Sequence, residues 1–287
     1  MQSNNPVFNR AEGFNGRGGR TAPTAQATDP SQWTIDLDGT AGEPGPTHIE
    51  AGRRMTLESV TEKTAITLAL VVAAAATAWF MIGDLGSVST GDAAMGRAAT
   101  FALGGALIGL VLSLVISFKK SISPVLVLVY AVAEGAFVGA FSKIIAAWVG
   151  DPSVVFQAVL ATMVAFGGTL AAYKFFNTQV TDKFRKVMTI AIFSFVGVML
   201  VNFLLSITGV LDGAGLRGMD GLGLVVSAIA VVLAVFMLIM DFDFVERGVE
   251  AGLPERESWR AAFGLTVTLV WLYIELLRII AILRGQE

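Results

Sequence analysis

The chain contains no cysteine and a single histidine, and only 15% of its residues are charged. The lack of cysteine excludes disulfides, thiolate metal sites and a cysteine nucleophile. His48 lies outside the apolar part of the chain, so a histidine triad or a multi-histidine metal site within that part is also excluded. The net charge of −3 and the absence of a Lys/Arg cluster argue against a nucleic-acid partner.

The scarcity of charge comes from long stretches that have none. A soluble domain is about 25% charged, whereas 54% of this chain is hydrophobic. The uncharged stretches are residues 64–83, 98–118, 152–173, 187–211 and 221–240. Two equally long stretches, 121–149 and 260–283, are interrupted by charged residues. About 20 apolar residues span a bilayer as a helix, and continuous rather than alternating apolar runs exclude barrel strands. The sequence predicts an all-α integral membrane protein, a bundle of seven transmembrane helices.

The first 50 residues differ from the rest. They are rich in Gly, Pro, Ser, Thr and Asn and have no sustained hydrophobic period. This composition is typical of disorder. We therefore predict a disordered N-terminal tail over residues 1–50 and a transmembrane domain over residues 51–287.

Positive charge accumulates in alternate loops, and the positive-inside rule assigns those loops to the cytoplasm. We therefore expect a cytoplasmic N-terminus and, with seven spans, an external C-terminus. The positive side holds Arg53, Arg54, Lys63, Lys119, Lys120, Lys174, Lys183, Arg185 and Lys186. The opposite side holds Asp84, Asp92, Asp151, Asp212 and Asp220, with only Arg97 and Arg217 as cations.

Four acids lie in or at the end of these apolar stretches. Glu134 is near the middle of the third helix, Asp241 and Asp243 close the sixth, and Glu275 lies in the outer half of the seventh. A charge at the bilayer centre costs roughly 2.5–3.5 kcal/mol on insertion scales, so such residues usually mark an ion or proton path. We expect these acids to face the interior of the bundle.

Each acid also has a structural interpretation. Glu275 and Arg278 are spaced i, i+3 and fit an ordinary intrahelical ion pair equally well. Asp243 and Glu246 fit better as the solvated end of a helix. Glu134 has no cation at i±3 or i±4, so it must be neutral, paired across helices or solvated. Burial and a nearby acid both disfavour ionisation, and we expect pH sensitivity near neutrality from Glu134 with Asp241.

Small residues recur within the predicted spans. Gly105 with Gly109, and Gly135 with Gly139, form small-xxx-small pairs. Such pairs allow helix backbones to approach closely in lipid. We predict that they pack helices within one bundle rather than between two copies of the chain.

Three segments resemble the transmembrane Bax inhibitor motif family, and most closely its Bax inhibitor-1/YccA-like bacterial branch. They are Ser123–Tyr130, the MDFDF element at 240–244, and LYIELLRIIAIL at 272–283. The resemblance covers roughly residues 55–285. It implies a compact seven-helix bundle with a central last helix, in the cytoplasmic membrane, without a resident cofactor.

The resemblance also implies a pH-sensitive calcium leak. The family sensor is a pair of aspartates on the sixth and seventh helices, linked to a basic residue at the end of the second. Asp241 matches the first aspartate, and Lys119 or Lys120 matches the basic residue. Thr268 stands at the second aspartate position, so the pair is incomplete. Glu134 is the candidate replacement carboxylate.

Our leading hypothesis is a pH-gated calcium leak. Asp241 and Glu134 would bind Ca²⁺ or the gating proton, with the hard oxygen ligands that Ca²⁺ prefers. Lys119 and Lys120 would stabilise the closed state, and Glu275 would line the outer route. The alternative, which the YccA-like resemblance implies, is a non-conducting regulator that associates with a membrane-bound AAA protease, with residues 1–50 as the interaction element.

Enzymatic and receptor-like functions fit the sequence poorly. An intramembrane aspartyl protease needs a Gly-x-Gly-Asp signature, which Gly218-Met219-Asp220 does not supply. A retinal protein needs a lysine in its last helix, and residues 260–283 contain none. We therefore expect no catalytic residues.

Overall fold

The computed structural model describes residues 53–86, 91–175, 180–211 and 213–285. The predicted tail lies outside these residues. The described part forms seven α-helices and one 3₁₀ turn, Gly215–Arg217. The helices are α1 (Leu57–Ile82), α2 (Gly91–Phe118), α3 (Pro124–Val149), α4 (Ser153–Phe175), α5 (Asp182–Ile207), α6 (Gly221–Glu250) and α7 (Glu257–Arg284). All seven are long and apolar enough to cross a membrane, which confirms the predicted fold class.

Local sequence signals define where the helices begin and end. Thr56 and Ser59 form a capping box at the start of α1, and Asp220 accepts a hydrogen bond from the Gly223 amide at the start of α6. Pro124 occupies the first turn of α3, where its missing N–H costs nothing. Gly150 ends α3 in the left-handed conformation, with φ of 78°. These caps lie outside the uncharged stretches, so most helices are longer than predicted.

The last helix is the centre of the bundle. In an 18-residue window of α7, 61% of the residues are buried, against 6% in α5. Helix α7 packs against α1, α3, α4 and α6, whereas the described part of α5 packs closely only against α6 and the 3₁₀ turn. The expectation of a central last helix is confirmed.

Glycines bring the backbones of α1, α2 and α3 together. Gly105 of α2 lies against α3, where an added Cβ would be 2.7 Å from the carbonyl oxygen of Ala133. On the opposite face of α3, Gly135 and Gly139 lie against the backbone of α1 at Val71 and Ala75. The predicted packing role within one bundle is confirmed for Gly105, Gly135 and Gly139, whereas Gly109 meets side chains of α3 instead of its backbone.

The segment before α1 is tied to the loop between α6 and α7. The Met55 amide donates to the Leu253 carbonyl at 2.7 Å, and the Glu255 amide donates to the Arg53 carbonyl at 2.7 Å. The Lys63 ammonium adds an ion pair to the Glu255 carboxylate at 2.7 Å. The start of α1 is therefore fixed to the start of α7.

This ion pair leads to a prediction for pH titration. The hydrogen bond and charge of Lys63 hold the pKa of Glu255 below its ordinary value of 4.5. A carboxyl with a depressed pKa stabilises the folded state above its unfolded pKa, and that contribution is lost as the pH falls through the folded pKa. We expect Lys63→Met to raise the titration midpoint of Glu255, as measured by carboxyl ¹³C NMR. An unchanged midpoint would contradict the pairing.

Candidate functional site

Asp241 lies on α6 and faces the central helix. The Thr268 hydroxyl donates to Asp241 Oδ2 at 2.7 Å, and Oδ1 lies over Gly264, 3.6 Å from where a Cβ would be. The Asp241 side chain is half-buried, and Thr268 is buried. Within the described residues, no lysine or arginine nitrogen lies within 4.0 Å of this carboxylate. Asp241 is therefore held by a neutral hydroxyl instead of a cation.

Asp243 points away from Asp241, because two residues correspond to about 200° around a helix. Its carboxylate accepts hydrogen bonds from Arg185 of α5 at 2.6 Å and from Arg247 of α6 at 3.0 Å. Arg247 also donates to the Val180 carbonyl at 3.0 Å. We call this set the α5–α6 clamp.

The α5–α6 clamp corrects two sequence-based expectations. Asp243 was assigned to the solvated end of a helix, but it is buried, and α6 continues to Glu250. Arginines, instead of water, satisfy the carboxylate. Glu246 is exposed as expected, and it accepts a hydrogen bond from the Tyr173 hydroxyl at 2.5 Å.

Glu275 on α7 is clamped at the other end of the bundle. Only 2% of its surface is exposed, and its Oε1 accepts a hydrogen bond from Arg217 of the 3₁₀ turn at 2.6 Å. Arg278 Nε lies 3.8 Å from Oε2, while its guanidinium bonds the Arg217 carbonyl at 2.8 Å and the Ser227 hydroxyl at 3.3 Å. We call this set the α7 clamp.

The α7 clamp contains the predicted Glu275–Arg278 pair, but the closer partner is Arg217, which the sequence interpretation did not assign to Glu275. A signal for it was present, since Arg217 is one of two cations on the acidic side. A cavity of about 450 Å³ adjoins the clamp, lined by Arg217, Glu275, Asn202 of α5 and several apolar residues. Glu275 Oε2 accepts no hydrogen bond within the described part of the chain.

Glu134 lies at a different interface from the other acids. Its Oε2 is 2.9 Å from where a Cβ of Gly109 would be, so the carboxyl group fills the space that this glycine leaves on α2. Tyr130, one turn earlier on α3, lies beside the same glycine, with its Cε2 3.9 Å from that Cβ position. Helices α3 and α6 are not neighbours over the residues described. The structure therefore does not bring Glu134 to Asp241, contrary to the expected pairing of these two carboxylates.

The two lysines at the end of α2 do not reach the acids either. Lys119 and Lys120 are exposed, and neither forms an ion pair within the described ranges. Their backbone carbonyls instead accept hydrogen bonds from Arg260 of α7, at 3.3 and 3.1 Å. Arg260 is in turn held by Glu257 at 2.7 Å. Arg260 is the cation that links the end of α2 to the central helix.

The four acids thus form two chemical classes. Asp243 and Glu275 each lie beside two arginines, whereas no lysine or arginine nitrogen of the described residues lies within 4.0 Å of the Asp241 or Glu134 carboxyl group. Among the described residues, no group of three or more His, Asp or Glu side chains converges as a metal site would require. Because α3 and α6 are not neighbours among the described residues, Asp241 and Glu134 do not converge on a common cation position. A carboxylate with a hydroxyl can hold a proton, or bind a cation transiently.

Comparison with known proteins agrees with this architecture. A family model described as Bax inhibitor 1 like matches residues 5–285. The match begins well before residue 55, so the expectation that the N-terminal tail lies outside the resemblance is wrong. No curated protein matches the chain.

Proposed function

This chain belongs to the Bax inhibitor 1-like family, and on that premise we propose that it is a pH-sensitive calcium leak channel with Asp241 as its sensor. It is a multi-pass integral membrane protein, since seven apolar helices make up the described part of the family match. The proposal concerns conduction, the permeant ion and the residues that respond to protons.

The observation that supports the proposal is that Asp241 is paired with a neutral hydroxyl instead of a cation. An acid within a membrane span is costly and is normally offset by a cation, yet the nearest polar partner of Asp241 is the Thr268 hydroxyl at 2.7 Å. A group held in this way gains or loses a proton without breaking an ion pair. When ionised it offers a hard oxygen ligand to Ca²⁺ beside the central helix. When protonated it offers none.

The two clamps support a closed conformation around this group. The α5–α6 clamp holds the loosely packed α5 against α6 through the Arg185–Asp243 bond. The α7 clamp holds the 3₁₀ turn over Glu275 beside the cavity of about 450 Å³. We propose that opening requires one of these clamps to release, with Glu275 lining the outer route. Lys119 and Lys120 then contribute only to the surface potential. Arg260, which links the end of α2 to the central helix, stabilises the closed state in their place.

The test is calcium flux into liposomes containing the purified protein, measured across the neutral pH range. Titration of a single group changes the ionised fraction by up to tenfold per pH unit, so the wild-type flux should vary strongly with pH. We expect Asp241→Asn to remove this dependence. Thr268→Asp restores a second aspartate opposite Asp241, and we expect it to shift the pH at which flux changes.

Two controls make the result specific. Glu62→Gln neutralises an exposed acid near the start of α1 and should leave the pH profile unchanged. Glu134→Gln tests the acid at the α2–α3 interface, which should affect flux less than Asp241→Asn because α3 is not a neighbour of α6 among the described residues. Equal pH profiles for wild type and Asp241→Asn would refute the sensor role.

We further propose membership of the YccA-like bacterial branch and a location in the cytoplasmic membrane, with the N-terminus in the cytoplasm. The distribution of charge supports this orientation. The end of the bundle that holds the start of α1 carries Arg53, Arg54, Lys63, Arg185 and Arg247, whereas the other end carries Asp84, Asp151 and Asp220 with fewer cations, among them Arg97, Arg217 and Arg284. The positive-inside rule assigns the first end to the cytoplasm.

The alternative function, a non-conducting regulator of a membrane-bound protease, gains one supporting observation. The family match extends into the N-terminal tail, which is the segment proposed to contact the partner. The flux experiment separates the two functions. A folded protein that carries no calcium at any pH would favour the regulator.

A further inference from the structure

An apolar slot opens between α1 and α4 onto the central helix. Its volume is about 310 Å³, and its walls include Leu68, Val72, Trp79, Val159, Met163 and Tyr273. Helices α1 and α4 are not neighbours within the described residues, so the gap between them reaches α3 and α7. Val72 and Met163 are more than half exposed, which makes the slot continuous with the lipid-facing surface.

The length of the slot matches one leaflet of a bilayer. Along α1 its wall runs from Leu68, in the middle of the helix, to Trp79, near the C-terminal end. This is about 16 Å at about 1.5 Å per residue, and half of a hydrocarbon core is about 15 Å. The lining residues of α3 and α4 lie in the halves of those helices nearest the same membrane surface.

The polar groups in the slot wall are already paired. The Ser142 and Tyr273 hydroxyls are hydrogen-bonded at 2.6 Å, and Ser142 also donates to the Val138 carbonyl at 2.6 Å. Thr162 donates to the Ala158 carbonyl at 2.7 Å. These bonds occupy the hydroxyl donors, so the slot suits a hydrocarbon chain better than a polar ligand.

One cation marks the surface end of the slot. The Lys143 ammonium donates to the Trp79 carbonyl at 2.7 Å and lies 5.0 Å from the centre of the Trp79 ring. Tryptophan and lysine side chains are typical of the membrane–water interface. An ammonium has three donors, and the Trp79 carbonyl uses one. The Asp84 carboxylate acts on this ammonium electrostatically but forms no ion pair with it within the described residues. The remaining donors therefore favour an anionic group at this position.

We propose that the slot binds one acyl chain of an anionic phospholipid, with its phosphate at Lys143. The phospholipid comes from the leaflet at the C-terminal end of α1. Its chain packs towards Leu269 and Tyr273 of the central helix, which line the slot. The bound lipid fills the space between α1 and α4 and joins both to α7. This site is separate from Asp241 and does not depend on the proposed channel function.

Lipid binding can be measured on the delipidated full-length protein by native mass spectrometry, with phosphatidylglycerol or phosphatidylcholine added in turn. We expect wild type to retain one phosphatidylglycerol and to bind phosphatidylcholine more weakly. Ala76→Phe fills the slot from α1 and should abolish retention. The matched control is Ala73→Phe, which adds the same ring to an exposed position on the same helix outside the slot, and it should retain the lipid.

A second variant tests the phosphate position without changing the packing of the slot walls. Lys143→Gln leaves the slot walls intact, so phosphatidylglycerol and phosphatidylcholine should bind it equally. Three results would overturn the proposal: no lipid retained by wild type, equal retention by Ala76→Phe and Ala73→Phe, or a preference for phosphatidylglycerol that survives Lys143→Gln. Loss of lipid in Ala73→Phe would likewise count against the slot as the binding position.

Discussion

Replacing Arg217 by methionine is expected to lower the free energy of unfolding by about 3 kcal/mol, the lower end of the range for breaking a buried ion pair. The change removes the 2.6 Å bond to Glu275, which is almost fully buried, and leaves that carboxylate without its closest partner. Arg278 stays 3.8 Å away and limits the loss. The measurement is denaturant unfolding of the protein in micelles.

Two further variants identify the cause. Adding Glu275→Gln to Arg217→Met should recover part of the stability, because it removes the unpaired buried carboxylate but leaves the buried Arg278 without that partner. Arg284→Met breaks the Arg284–Asp151 pair at the same end of the bundle, where both side chains are 39% exposed. An exposed pair contributes about 0–1 kcal/mol, so a loss as large as that of Arg217→Met would contradict the argument.

The number and type of the helices could be predicted because lipid imposes a simple requirement. Every backbone polar group in a span must be paired, so an uncharged run of about 20 residues becomes a helix. The residues at which the helices begin and end were harder to predict. The uncharged run 221–240 ends before Asp241, but helix α6 continues to Glu250, and Asp243 within it is paired with Arg185 of another helix.

The contacts between helices could not be predicted from periodicity. In a soluble protein the polar face of a helix shows which side is exposed, but here the exposed side faces lipid and is as apolar as the core. Helix α5 carries exposed Phe193, Val201 and Phe203, and nothing in its sequence distinguishes these from core residues. The partners of Asp243 and Glu275 depend on which helices are neighbours, and that information was missing.

Part of the candidate site could likewise be predicted from the sequence, and part could not. The match of the last helix to the family put Thr268 at the second sensor position, and the structure brings Thr268 within 2.7 Å of Asp241. The role given to Glu134 came from its chemistry alone. Gly109 and Glu134 were noted as separate features, a packing glycine and an unexplained acid, but in the structure the glycine makes room for the carboxyl group.

Replacing Gly139 by alanine is expected to destabilise the bundle by about 1–3 kcal/mol, the usual cost of overpacking. A Cβ at this position would lie 2.8 Å from the Cα and 2.9 Å from the carbonyl carbon of Ala75 on α1. Both atoms belong to the backbone, so no side chain can rotate to relieve the contact. Helices α1 and α3 must separate, and thermal unfolding in micelles measures the loss.

Gly167→Ala on α4 is the matched control, since it makes the same change within a membrane span but a Cβ there would meet no atom within 4 Å. Alanine has a higher helix propensity than glycine, so this variant should keep or slightly raise the wild-type stability. Equal stability of the two variants would mean that the α1–α3 contact is looser than the structure has it. A loss confined to Gly139→Ala would instead mean that backbone contact in lipid, where apolar side chains gain nothing by leaving the solvent, holds α1 against α3.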